Sequence, residues 1–351
     1  MSQLDGKKIL IIKLRYIGDA LGLLPVIENI HEKAVNVDVD VMVNQGTEAL
    51  LEPHPGIRKL WVYDRSIAKK SIISSIGYHK DLIRGLRSEK YDFVIDYTHG
   101  DRTAFLSFMT GAPERITHQA ATLLSRLLMN RIVPGDPDKQ HIVEYQLLAL
   151  KFLGMKDFKK SMTLSIPDAV KQQVEGLLTS AGIDHDAPMV VIHPGARRRL
   201  RRWRPDRFAE IARRLKETYP VSLILIGGPG EEDLLDEMEA CIGFLPSFKS
   251  TSLSLQEMAA LLRRSRLLIG NDTAPGHIAA AVNCPSLILF GPTFPLLWRP
   301  FSPFGEVIFK DVPCCGCLQE SCIRPDQNCL DLIEVDEVWE KVVEMLARRH
   351  T

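Results

Sequence analysis

The chain has 351 residues, 45% of them apolar and 25% charged, which fits a soluble globular protein with room for two domains of ordinary size. Lys plus Arg and Asp plus Glu both number 44, so no net charge draws the whole chain to nucleic acid or membrane. No apolar run reaches the roughly 18 residues of a membrane span. The opening stretch MSQLDGKKILIIKLRYIGDA reads as a first strand rather than a signal peptide, because its apolar run is short and no small-residue cleavage site follows. A cytoplasmic protein is expected.

In chain order, residues 8–14 form a buried-strand run, and 19–31 place Ala20, Leu23, Leu24, Ile27 and Ile30 at helical spacing. Strand-like runs follow at 37–43, 58–63 and 91–96. Helical patterns accompany them, with 102–109 and 141–153 as the clearest. Such alternation predicts a parallel sheet wrapped by helices. Around 156–170 the pattern turns charged and then turn-like, KDFKK and SIPD. This places a boundary between domains 1–167 and 168–334. Alternation then restarts, with helices expected at 168–181, 205–218, 231–241 and 254–264 and strands at 189–193, 221–226 and 267–270. Ser254-Leu255-Gln256-Glu257 is a capping box and marks a helix start. The amphipathic tail, residues 335–351, is a candidate helix that crosses back onto the first domain.

The most organised stretch is 267–292, LLIGNDTAPGHIAAAVNCPSLILFGP. It reads as strand, polar turn, small-residue helix opened by His277, and second strand, a βαβ unit. Its loop lies where an open parallel sheet places ligands, although a plain crossover with a polar turn has the same outline. Three other strand-to-helix turns carry chemistry-bearing residues. At Arg15–Asp19, Asp19 reads either as an N-cap or as a general base at the mouth of a cleft; with a single glycine, this is not a dinucleotide fingerprint. After His193-Pro194-Gly195-Ala196 come six arginines in eight positions, Arg197–Arg204. They suit a solvated loop, a nucleic-acid patch or, fitting best, a phosphate cradle made with backbone N–H groups. At Gly227–Glu232, an acidic residue either accepts from ribose hydroxyls or decorates a helix start. Five of the seven cysteines fall at 314, 315, 317, 322 and 329. Metal binding, reduced thiols packing a loop and a redox-labile pair all remain open there.

Taken together, these motifs resemble the ADP-heptose:lipopolysaccharide heptosyltransferases, glycosyltransferase family 9, over nearly the whole chain. The matching stretches are Ile17-Gly18-Asp19, HPGA with Arg201–Trp203, GGPGEE at 227–232, GNDTAPGHIAAA at 270–281, GPT at 291–293 and the cysteine-rich tail. The resemblance implies an α/β GT-B fold, two Rossmann-like domains facing a central cleft. It implies transfer of a heptose from ADP-heptose to the inner core of lipopolysaccharide, inverting and without metal or cofactor. Asp19 matches the catalytic base. Gly195, Ala196, Arg201, Glu231, Leu253, Asp272, Thr273, Ala274 and His277 match donor-binding positions. Arg201 stands in place of a lysine, and Ala274 replaces a common glycine. Trp203-Arg204-Pro205 departs from the usual Trp-Pro. Lys13, Arg15, Arg102 and Arg115 are acceptor-binding candidates, since an anionic inner core suits cations.

The implied partners are the nucleotide sugar, the lipopolysaccharide acceptor and, peripherally, the inner membrane surface, with no nucleic acid. Asp136-Pro137-Asp138 has the form of a metal-binding DxD but lies in a Pro/Gly turn. Closure of the two domains is expected to exclude water from the donor. Two readings on the same loops remain: a transferase using another nucleotide sugar, and a nucleotide-sugar-binding protein without turnover. An epimerase or dehydrogenase needs a GxGxxG after the first strand, which is missing.

Overall fold

The computed structural model describes residues 2–67, 72–317, 321–324 and 328–348. Of the expected ranges, positions 1, 68–71, 318–320, 325–327 and 349–351 lie outside the described residues. The chain divides into two compact units, Met1–Ser165 and Ile166–Thr351.

The first unit runs β1 (Lys8–Lys13), α1 (Ile17–Leu21), α2 (Leu24–Lys33), β2 (Asp38–Asn44), β3 (Lys59–Tyr63), α3 (Ile72–Ser88) and β4 (Phe93–Asp96). It continues with α4 (Asp101–Met109), β5 (Glu114–Thr117), α5 (Leu123–Leu128), β6 (Arg131–Ile132) and α6 (Ile142–Phe152). Its six-stranded sheet has the order β3-β2-β1-β4-β5-β6, with every pairing parallel.

The second unit opens with α7 (Asp168–Ser180), β7 (Met189–His193), α8 (Pro205–Thr218), β8 (Ser222–Ile226), α9 (Glu232–Ile242) and β9 (Phe248–Ser250). There follow α10 (Leu255–Arg264), β10 (Leu267–Asn271), α11 (Ala274–Ala281), β11 (Ser286–Phe290), α12 (Pro295–Trp298), β12 (Gly305–Phe309) and α13 (Val335–Ala347). Its sheet, β12-β11-β10-β7-β8-β9, is also parallel. Counted from each unit's own first strand, the two orders are the same doubly wound arrangement. The expected α/β class and the pair of Rossmann-like units are thus found.

The strands are continuous Ile/Val/Leu runs because helices cover both faces of a parallel sheet. Strands β7, β10 and β11 are buried along their whole length. In the first unit Leu10, Ile12, Met42, Val94 and Leu106 share one core. In the second, Val190, Ile192, Ile269 and Leu287 meet the buried faces of α8, α9 and α13.

Three local expectations change. The single helix predicted over 19–31 is two, α1 and α2. Pro25 sits in the first turn of α2, where a missing N–H is harmless; inside one long helix its ring would strike the carbonyl of residue 21. Helix α11 begins at Ala274, so His277 lies at the end of its first turn instead of opening it. The tail helix α13, expected against the first domain, has Val338, Val342, Met345 and Leu346 buried in the second unit's core, and it packs on α8. Its apolar stripe is consumed by the nearest sheet of its own unit.

Trp203, from the basic stretch, is 1% exposed. Its indole N–H donates to the Ile333 carbonyl at 3.0 Å, and its ring meets Phe208 edge-on, centroids 4.9 Å apart. It is a core anchor that joins the 194–204 loop to the chain before α13. Trp203→Ala is expected to destabilise the second unit by about 3–5 kcal/mol, the cost of emptying a large buried aromatic site, read by denaturant unfolding; a loss below about 1 kcal/mol would contradict this.

Candidate functional site

In each sheet the winding reverses at one place, between β1 and β4 in the first unit and between β7 and β10 in the second. Connections leaving those neighbours run to opposite faces, so a crevice opens at their carboxyl ends. Most of the residues singled out from the sequence lie at these two crevices; Arg102, Arg115, Asp136 and the clustered cysteines do not.

In the first unit, Lys13 closes β1 and is 4% exposed. Its Nζ lies 3.1 Å from Asp19 Oδ1 and donates to the Tyr97 carbonyl at 3.0 Å. Asp19 sits in the first turn of α1, where the helix dipole favours a carboxylate, and its Oδ2 accepts from the Tyr16 N–H at 3.4 Å. The loop after β4 forms the facing wall. Thr98 accepts from the Leu14 N–H through Oγ1 at 2.7 Å, and its carbonyl accepts from Arg15 Nε and Nη2 at 3.3 and 3.0 Å. Lys13, Arg15 and Asp19 are therefore brought together.

Behind them lies a dry polar cluster. Asp96 is fully buried and accepts from Thr103 Oγ1 at 2.6 Å and the Thr98 N–H at 2.8 Å. Burial nonetheless pushes its carboxyl upward in pKa. His99 takes a left-handed conformation, φ 62°. Burial, then the neighbouring Lys13 charge, pulls His99 down to about 3. Burial likewise pulls His118 down to about 4, with its ring 4.4 Å from that of Tyr145. Burial keeps both imidazoles neutral at physiological pH, so the basic side chains that act at the crevice are Lys13 and Arg15.

The other two acceptor candidates part company. Arg102 is exposed on α4, its guanidinium 5.9 Å from the ring centroid of Tyr63 at the carboxyl end of β3. Arg115 pairs with Val94, well short of the strand ends that bear the crevice. Its guanidinium donates to the carbonyls of Leu128 and Ala112 at 2.7 and 2.5 Å and covers the Phe108 ring. Two of its donors are thus engaged by the backbone away from the strand ends, and Arg115 is not brought together with Lys13, Arg15 and Asp19.

In the second unit the loops after β7 and β10 are laced by Asn271. Its Oδ1 accepts from the Trp203 N–H at 2.9 Å, and its Nδ2 donates to the Pro194 carbonyl at 2.8 Å. Asp272 is 7% exposed; Oδ2 accepts from Thr293 Oγ1 at 2.6 Å and faces Arg201 Nη1 at 3.4 Å. Arg201 Nε is buried without a protein hydrogen-bond partner. Thr273 is the N-cap of α11, yet its side chain makes no capping bond; Ala274 and half-buried His277 follow in the first turn. The helix therefore presents a terminus that favours an anion.

Glu231 forms the other wall. Its Oε2 accepts from the Gly228 N–H at 2.8 Å and lies 3.6 Å from His193 Nε2. Arg202 Nη2 stands 3.6 Å from Oε1, and Arg202 Nε donates to the Ala196 carbonyl at 2.6 Å. Burial lowers the His193 pKa. Glycine at 195 leaves room for this carboxylate: a Cβ here would lie 2.0 Å from Glu231 Oε2 and displace the side chain. Leu253 is half-buried just ahead of α10, whose capping box forms as predicted, Ser254 N–H to Glu257 Oε2 at 2.7 Å and the reverse bond at 3.2 Å.

The basic stretch is thus only partly solvated, with Arg201, Arg202 and Arg204 all facing carboxylates. Asp136 serves its own exposed turn, accepting from the Asp138 N–H at 3.0 Å and pairing with Lys139 at 3.2 Å. The five clustered cysteines line one cavity of about 20 Å³. Among the described residues no group of three or more His, Cys, Asp or Glu is arranged to hold a metal ion. Residue-by-residue reading passed over Asn271 and Thr293, both inside quoted motifs, and Thr98 and His99, which carried no motif.

A family profile described as glycosyltransferase family 9 (heptosyltransferase) matches residues 79–327. An Escherichia coli protein named lipopolysaccharide heptosyltransferase 3 is 30% identical over 300 residues, covering 82% of this chain and 85% of its own. A family 9 glycosyltransferase from Veillonella parvula superposes with TM-score 0.86 at 22% identity, covering 98% of both chains. The E. coli heptosyltransferase WaaC solved with ADP-2-deoxy-2-fluoro heptose superposes with TM-score 0.74 at 20% identity, over 96% of this chain and 99% of that one.

The depressed imidazoles have a consequence for stability. An unfolded histidine takes up a proton near pH 6.5, whereas buried His118 does so only near 4, so between those values the unfolded chain binds more protons and stability falls as pH falls. By pH 4 the loss from His118 alone is on the order of 3 kcal/mol. His118→Gln is expected to lose less stability than the wild type between pH 6.5 and 4, followed by urea unfolding. Parallel losses in the two proteins would refute the assignment.

Proposed function

The chain belongs to glycosyltransferase family 9, the heptosyltransferases, and on that premise we propose that it transfers a heptose from ADP-heptose to an inner-core lipopolysaccharide acceptor, with inversion and without a metal ion. The observation that carries the donor side is the second crevice. The buried, unpartnered Arg201 Nε, the uncapped start of α11 and the HPGA loop converge there. All three favour negative charge, and that charge develops on the departing diphosphate. The first unit contributes the base. Asp19 takes the proton of the acceptor hydroxyl, and the freed oxygen bonds to the anomeric carbon on the face opposite the phosphate. The bond from that carbon to the phosphate oxygen breaks, and ADP leaves with the electron pair. Lys13 holds the carboxylate in place, and Arg15 and Arg102 supply cations for an anionic acceptor.

Arginine at 201 keeps the cation of a phosphate-binding lysine and adds a planar fork of donors. Glu231, oriented by the Gly228 N–H, and Leu253 serve the nucleoside. The cytoplasmic face of the inner membrane is the proposed site of action, as the acceptor is lipid-borne; no helix among the described residues is long and apolar enough to cross a membrane.

The test is turnover of ADP-heptose with truncated, heptose-deficient lipopolysaccharide. Activity is expected to survive EDTA, and Asp19→Asn is expected to lower kcat by about 10²–10⁴-fold with donor affinity kept; near wild-type kcat would remove Asp19 from the role of base. Gly195→Ala, which drives a Cβ into the Glu231 carboxylate, is expected to raise the donor KM at least about tenfold with kcat less affected. An unchanged donor KM would detach this loop from the nucleotide.

A further inference from the structure

Two helices of the first unit present several large apolar side chains outward. On α4 the buried residues are Thr103, Ala104, Leu106 and Ser107, while Phe105 and Phe108 are 45% and 47% exposed. On α5 only Ser125 is buried, and Leu123, Leu124 and Leu127 are 75%, 46% and 70% exposed. Scattered exposed leucines are ordinary; five large apolar groups on adjoining helices are not. The platform is fixed: α4 packs on α5, the Thr122 hydroxyl donates to the Asp101 carboxylate, and Arg115 joins the Phe108 ring to the Leu128 carbonyl.

The charges nearby are of one prevailing sign. Residues 100–132 hold Arg102, Arg115, Arg126 and Arg131 against Asp101 and Glu114. Glu114 is paired with Arg131 at 2.8 Å, and Arg102 and Arg126 are exposed beside the apolar groups. An apolar centre edged by arginines is the pattern of a helix face seated at the boundary between acyl chains and anionic headgroups.

We propose that the α4–α5 face docks on an anionic lipid surface. The proposal rests on the reading of a lipid-borne acceptor and adds the surface that meets the membrane. Helix α4 begins at Asp101, three residues beyond Thr98 of the Asp19 crevice, so docking here holds that crevice beside the headgroup layer.

The experiment is co-sedimentation of the full chain with vesicles of phosphatidylglycerol and phosphatidylethanolamine, against vesicles of phosphatidylcholine alone. Binding is expected to the anionic vesicles and to weaken with salt. The double substitution Leu123→Ser, Leu127→Ser is expected to lower vesicle affinity about tenfold with an unchanged melting temperature, since both side chains are exposed. In a second variant, Leu127→Trp, the added fluorescence is expected to be quenched by brominated lipid. Equal binding of wild type and double variant, or no quenching, would overturn the proposal. So would a self-association that the double substitution abolishes with no vesicle binding, which would make this face an interface between copies. Turnover on a deacylated, soluble acceptor is expected to be the same in wild type and double variant. Its absence in both, with vesicle binding intact, would count against the proposed reaction and leave the docking face standing.

Discussion

The feature on which everything else depends is the reversal of winding at one point in each sheet. Parallel strands need crossovers, and crossovers on both faces leave a gap only where two neighbours send their chains in opposite directions. That gap is a place where backbone N–H groups, helix starts and loop side chains lie open without weakening a core. In the second unit Asn271 makes the gap rigid. One carboxamide ties the loop after β7 to the loop after β10 through the Pro194 carbonyl and the Trp203 N–H. Trp203 in turn fastens the same loop to the chain before α13 through Ile333. The donors aimed at the crevice are therefore held by buried groups on two sides, and preorganisation of this kind makes a fixed dipole stabilise a developing charge.

Charge in the two crevices is arranged by opposite means. In the second, cations are kept beside carboxylates: Arg201 faces Asp272 and Arg202 faces Glu231. Each guanidinium is oriented by its partner, while Arg201 Nε stays uncommitted within the protein. In the first, the potentially cationic imidazoles are silenced by burial. His99 and His118 titrate far below neutrality, and the carboxyl of Asp96 is pushed the other way by the same burial. Beside them Lys13 and Asp19 stand 3.1 Å apart, with Arg15 next in the loop. Desolvation thus strips the imidazoles of charge, while the Asp19 carboxylate is paired on a helix start.

Much of this was legible in the sequence, for a physical reason. Buried parallel strands read as short Ile/Val/Leu runs, so β1, β7 and β10 are visible as composition alone, and the capping box at Ser254 is a local signal whose geometry needs no tertiary help. The turns after those strands carry Gly, Asp and His, where the backbone must bend tightly from a strand into a helix start. What the sequence concealed depends on register and on neighbours. The strand β6 has two residues and α5 six, too few for periodicity to rise above noise. Helix α13 has an apolar stripe that would fit either sheet, and only packing shows that α8 receives it. Trp203 is set among arginines, and nothing local in that stretch marks it as a core residue, yet it is 1% exposed.

Arg115 shows the same limit from the functional side. As a residue type it suited an anionic acceptor as well as Arg15 did. Strand register separates them: Arg15 follows β1 at the crevice, while Arg115 pairs with Val94, two positions before the strand's last pairing with Asp96. At about 3.3 Å per residue, those two positions amount to some 7 Å of retreat from the carboxyl edge. From there the guanidinium meets two carbonyls and a Phe face. A cation's chemistry is set by its side chain, but its role is set by which end of a strand it occupies.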